Sequence, residues 1–99
     1  MLIRAIGPTL ALTLFNVSGA VADPQLALFG GATKIAENND WGGTPALMEA
    51  FARVGAFALP SESKDAALIA TLLPGNYTVE VSGVGGATGT ALLEAYELR

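Results

Sequence analysis

The chain contains neither cysteine nor histidine among its 99 residues. Without cysteine there is no disulfide framework and no thiol nucleophile. Without histidine the commonest general base and the commonest transition-metal ligand are both missing. Basic side chains are scarce as well. Arg4, Lys34, Arg53, Lys64 and Arg99 are scattered along a chain of net charge −4, so no basic patch can be assembled and nucleic acid is excluded as a partner. Charged residues make up 14% of the chain, against ~25% in an average soluble domain. Much of the surface must therefore be Ala, Gly, Thr and Ser, a composition suited to packing against neighbours. Long apolar runs are absent too: Gly7-Pro8, Asn16 and Asp23 interrupt the one candidate well short of the ~18 residues needed to cross a bilayer.

The first twenty-four residues support two opposed readings. Arg4, the apolar stretch Ala5 to Phe15 and the Ala20-Val21-Ala22 cleavage-like triplet have the layout of a secretory leader. Against this, Gly7-Pro8 breaks the apolar run near its start, and Asn16-Val17-Ser18-Gly19 is a polar loop signal. Leu2-Ile3-Arg4-Ala5-Ile6 then reads as a strand of the mature domain, stopped by a proline that disfavours helical geometry before it.

With apolar residues at 52%, the 99 residues are long enough for one core, and we expect a single domain spanning 1–99. Thr9 to Phe15 is read as a helical turn or an irregular apolar loop. Gln25 to Phe29, Gly30-Gly31 and Thr33 to Glu37 predict a β-hairpin. The best helix signal covers residues 45–54. There Thr44 is the expected N-cap, Pro45 opens the first turn, Leu47, Phe51 and Val54 share a face, Glu49 and Arg53 pair at i,i+4, and Gly55 ends the run. Ala66 to Leu72 is apolar on both faces, which predicts a central strand. Pro74-Gly75 turns the chain into Tyr77 to Ser82, where strict alternation points Tyr77, Val79 and Val81 inward. A glycine-rich loop, Gly83 to Gly89, precedes a last strand within Thr90 to Leu98. The expected class is mainly β, an antiparallel β-sandwich or jelly roll with one short helix.

Chemistry-bearing motifs are few, and we expect no catalytic residue, cofactor or metal. Asn16-Val17-Ser18 and Asn76-Tyr77-Thr78 fit the N-glycosylation sequon, which makes Asn16 and Asn76 candidate attachment points and glycans candidate partners. Asn38, Asn39 and Asp40 offer oxygen ligands for calcium, although the favoured reading is a turn stabilised by their own side chains before Trp41. Trp41 could present a sugar-stacking face, the alternative being a plug beside the helix. Gly83 to Gly89 lacks the Lys-Ser/Thr of a phosphate loop and leads into a strand. Glu80 and Glu94 are placed on solvent-facing strand positions, with nothing to separate their pKa values as an acid/base pair requires.

Five runs carry a resemblance. They are Leu2 to Leu10, Ala22 to Leu28, Ile35 to Gly42, Leu73 to Thr78, and Gly86 to Leu98. In this order they resemble an uncharacterised β-rich domain repeated in large secreted and surface proteins of environmental bacteria, similar in layout to pre-peptidase C-terminal β-sandwich domains. The resemblance implies an extracellular or cell-surface, non-catalytic module and carries no catalytic residues over. In that family further strand-forming sequence usually precedes the segment matching Leu2. From these readings we expect a secreted structural subunit that forms a homo-oligomer, a filament or a surface array. The expected assembly strands contain Leu2, Ile3, Ile6, Leu93, Tyr96 and Leu98. The alternative is a carbohydrate- or calcium-binding accessory module using Asn38, Asn39, Asp40 and Trp41.

Overall fold

The computed structural model describes residues 1–12, 16–86 and 88–98. The predicted loop over Thr9 to Phe15 is described only to residue 12, where a short 3-10 turn, Pro8–Ala11, follows the first strand. Six strands and one α-helix follow in the order β1 (Leu2–Ile6), β2 (Pro24–Gly30), β3 (Thr33–Asn38), α1 (Pro45–Val54), β4 (Ala66–Ile69), β5 (Tyr77–Gly83) and β6 (Leu92–Tyr96). They form two three-stranded antiparallel sheets, β4-β1-β6 and β3-β2-β5. None of the described helices is long and apolar enough to cross a membrane.

β1 occupies the centre of its sheet and is buried along its whole length. Its alternating side chains serve two cores. Ile3 and Ala5, with Ala66 and Leu68 of β4, pack against Leu26 and Leu28 of the second sheet. Leu2 and Ile6 face the other way, into a cluster with Leu10, Trp41, Phe51, Leu59 and Ala67. Period-2 alternation with apolar residues on both faces therefore means a strand between two apolar layers, and each large side chain so buried contributes about 1.5–3 kcal/mol. This placement corrects the expectation that Leu2, Ile3 and Ile6 form a free assembly strand. Their exposures are 0%, 1% and 0%, and β1 is paired with β4 on one side and β6 on the other.

β4 is also corrected. It lies at the edge of its sheet, not in the middle, and ends at Ile69. Its doubly apolar sequence reflects cover from both cores, which sequence alone cannot separate from a central position. The hairpin joins β2 to β3 one residue later than expected, through Gly31 and Ala32, with Gly30 paired to Thr33. Gly31 takes the left-handed φ of 63° that such a turn favours. A register shift in β3 lets Ile35 bulge out, so the inward positions there are Ala36 and Asn38.

Helix α1 forms where predicted, with Pro45 in its first turn, Gly55 at φ 74° after its end and a Glu49–Arg53 ion pair of 3.2 Å on its exposed side. Thr44 adopts cap geometry without a side-chain hydrogen bond. The helix lays Ala50 and Phe51 on the outer core of β1, and the Phe51 ring meets Trp41 at 5.1 Å between centroids.

Candidate functional site

Two polar devices organise the first sheet. The carboxylate of Asp65, fully buried just before β4, accepts hydrogen bonds from Gly7 N (2.7 Å), Thr9 N (3.3 Å), Ser63 Oγ (2.7 Å) and the Thr9 hydroxyl. Its backbone carbonyl accepts from Trp41 N at 3.0 Å, and the Trp41 indole donates to Pro60 O at 2.9 Å. One carboxylate thus satisfies donors of two loops, and the backbone carbonyl of the same residue holds a third. Gly7 is required here for a second reason, since a Cβ would stand 2.3 Å from Val21 O.

The second device crosses to β6. Arg4 is fully buried, its guanidinium held between the rings of Phe51 (4.6 Å) and Phe57 (4.4 Å). Nε donates to Glu94 Oε1 at 2.7 Å and Nη1 donates to Phe57 O at 2.7 Å. The Tyr96 hydroxyl then donates to Glu94 Oε2 at 2.9 Å. Burial first, then the hydrogen bond and the negative charge of Glu94, push the Tyr96 hydroxyl above its ordinary pKa, while Arg4 pulls the other way. Glu94 was expected on a solvent-facing position; it sits opposite Arg4 in the β1–β6 register and points at it. A buried ion pair adds little net stability against an apolar replacement, yet losing one partner is costly, so the pair holds β6 in a single register. A sequence signal for it existed: Leu-Ile-Arg-Ala-Ile and Leu-Leu-Glu-Ala-Tyr are five-residue strands with opposite charges at their third positions.

The outer side of β6 is the candidate interaction surface. Among the described residues no strand pairs with that edge. Leu92 is 40% and Leu93 48% exposed, and the only charged residue of the strand, Glu94, is turned inward. Tyr96 and Leu98 are half-buried against the helix-side core. Of the expected assembly residues, only Leu93, at 48%, is strongly exposed; of the two strands the sequence reading named, the last lies at an edge and the first does not.

The remaining candidates fall elsewhere. Asn16 is exposed at φ 51° and Asn76 is exposed in the turn before β5, with Thr78 exposed on β5 itself. Asn39 and Asp40 are exposed, whereas Asn38 accepts a hydrogen bond from Ala67 N at 3.0 Å and donates to Asp40 O at 3.1 Å. Trp41 is 2% exposed, so its faces cannot receive a sugar; this corrects its place in the ligand turn. Among the described residues no three acidic side chains gather as a metal site. In comparisons with known proteins, the chain matches no family model, no curated protein and no solved structure.

Proposed function

We propose that this chain is a non-catalytic structural module that associates with further copies by strand addition at β6. The carrying observation is the β6 edge, paired with no further strand among the described residues, free of outward charge and flanked by the exposed Leu92 and Leu93. Such an edge is a template for another strand, and proteins that stay monomeric normally blunt it. The shared Ile3–Leu26–Leu28 core supports a β-sandwich as the architecture. Its six described strands fall short of the eight of a jelly roll, so the plainer sandwich is the form carried forward. Pairing of β6 with β6 of a second copy is isologous and closes as a dimer, so a filament or array needs a second, complementary contact besides this edge. The resemblance to repeated domains of secreted and surface proteins favours a place outside the cell for this module, where the exposed Asn16 and Asn76 would be available to carry glycans.

Sedimentation velocity of the purified chain against Leu93→Lys tests the proposal. A charge beside the edge should shift the oligomer to monomer while leaving the unfolding midpoint within about 3 °C, as for a surface substitution. A wild-type chain that remains monomeric at all concentrations, or a lysine variant that associates unchanged, would sink it.

A further inference from the structure

The face of β3-β2-β5 turned away from the first sheet is built differently. Along β2, Gln25, Ala27 and Phe29 point outward, since Leu26 and Leu28 are the buried pair. The register sets Ala27 between Glu37 of β3 and Glu80 of β5, Phe29 between Lys34 and Thr78, and Gln25 beside Ser82. Ala27 is the small residue at the centre of this grid and forms the floor of a hollow of about 360 Å³. The strand spacing puts Glu37 and Glu80 on opposite walls with backbones roughly 9–10 Å apart, while Gln25 and Phe29 stand about 7 Å away along β2. A second hollow of about 470 Å³ continues past Gln25 and Glu37 to Asn39 and Asp40.

Several walls are held in place. Gln25 Nε2 donates to Ser82 Oγ at 3.1 Å, and Lys34 Nζ pairs with Glu37 Oε2 at 3.0 Å. Glu80 makes no hydrogen bond or ion pair among the described residues, which leaves its carboxylate free to accept. Lys34 balances one carboxylate, so Glu80 and Asp40 leave the trough negative. This charge repels sulfated or uronic-acid polymers and nucleic acid. The shallow polar lining does not suit an apolar ligand either. What it does suit is a chain bearing adjacent hydroxyls: planar carboxylates and amides accept paired O–H donors in charge-assisted hydrogen bonds, and the half-buried Phe29 ring offers a face to the C–H side of a pyranose.

We propose that this trough is a binding site for a neutral polysaccharide, with Ala27 as its floor, Glu80, Glu37 and Gln25 as hydrogen-bonding walls and Phe29 as the stacking end. It is separate from the β6 edge and from the buried Trp41.

Affinity electrophoresis of the purified chain through gels containing xylan, galactomannan, mixed-linkage glucan or dextran tests it, with polygalacturonate as the anionic control. At least one neutral polymer should retard the protein and polygalacturonate should not. Ala27→Leu, which fills the hollow from the solvent side, and the isosteric Glu80→Gln should each weaken retardation by about tenfold or more, with unchanged circular dichroism and melting. The Leu93→Lys variant, disabled only at β6, should bind as the wild type does. No retardation by any of the four neutral polymers, equal retardation by polygalacturonate, or intact binding by both trough variants overturns the proposal. So does an Ala27→Leu change in sedimentation without a change in binding, which would make the face a contact between copies.

Discussion

The two outer strands of the first sheet, β4 and β6, flank the same central strand yet end in opposite states. On β4 the free backbone N–H of Ala67 is met by the Asn38 side chain. The turn that follows β3 is then fastened to Asp65 through Trp41. On β6 the ionisable groups turn inward, Glu94 to Arg4 and Tyr96 to Glu94, and no strand among the described residues pairs with the far edge. A sheet edge is thus an aggregation risk or an assembly device according to where its polar side chains are aimed. Composition hardly distinguishes the two: Ala-Ala-Leu-Ile is, if anything, more apolar than Leu-Leu-Glu-Ala-Tyr.

The contrast can be broken most severely on the covered side. Asp65→Ala should cost about 3–5 kcal/mol, because several buried donors lose their only acceptor together. Urea unfolding with Trp41 fluorescence reports it directly, and a loss under about 1 kcal/mol would mean that the loops do not depend on this carboxylate. On the open side, Glu94→Ala should cost about 2–3 kcal/mol by stranding the Arg4 charge. The loss should be recovered in part by the double variant Arg4→Met/Glu94→Ala, and a double-variant cycle with no coupling would refute the register role.

Asn38→Ala is the sharper probe of the difference between the edges. Uncapping Ala67 should lower stability by about 1–2 kcal/mol, or roughly 4–12 °C in Tm, and open a second association edge visible as larger species in sedimentation. Unchanged sedimentation would show that the cap contributes stability alone. The smallest effect is alkaline. The raised Tyr96 pKa means that the folded state holds its proton more tightly than the unfolded chain. Its contribution is whole below the unfolded value near 10 and is lost as pH rises through the folded one. The fall in stability between pH 9 and pH 11 should therefore be shallower in Tyr96→Phe, as measured by urea midpoints.

Much of the local architecture was readable along the chain. Strict alternation identified β5 with the correct inward set, proline and glycine bracketed α1, and the glycine pair located the hairpin to within one residue. Strand placement was not readable in the same way. Leu2 to Ile6 looked like an edge because it opens the chain, and Ala66 to Ile69 looked central because both its faces are apolar. Pairing between residues some 60 to 90 positions apart decides that order, and no local pattern encodes it. The outer trough was equally hidden. Gln25, Ala27, Phe29, Glu37 and Glu80 are unremarkable in sequence and become neighbours only through cross-strand register.

The sequence by itself determined a chain without thiol or imidazole chemistry, short of positive charge, with strands and one helix marked by periodicity and by proline and glycine. Those properties follow from residue types and from steric limits that act within a few positions. Only the tertiary structure decided that Arg4 and Glu94 are buried partners, that Trp41 is sealed in, and that Asn38 caps β4 while no described strand pairs with the outer side of β6. The reason is that desolvation, buried ion pairing and edge capping depend on which distant segment arrives alongside, and the closing of the two sheets sets that.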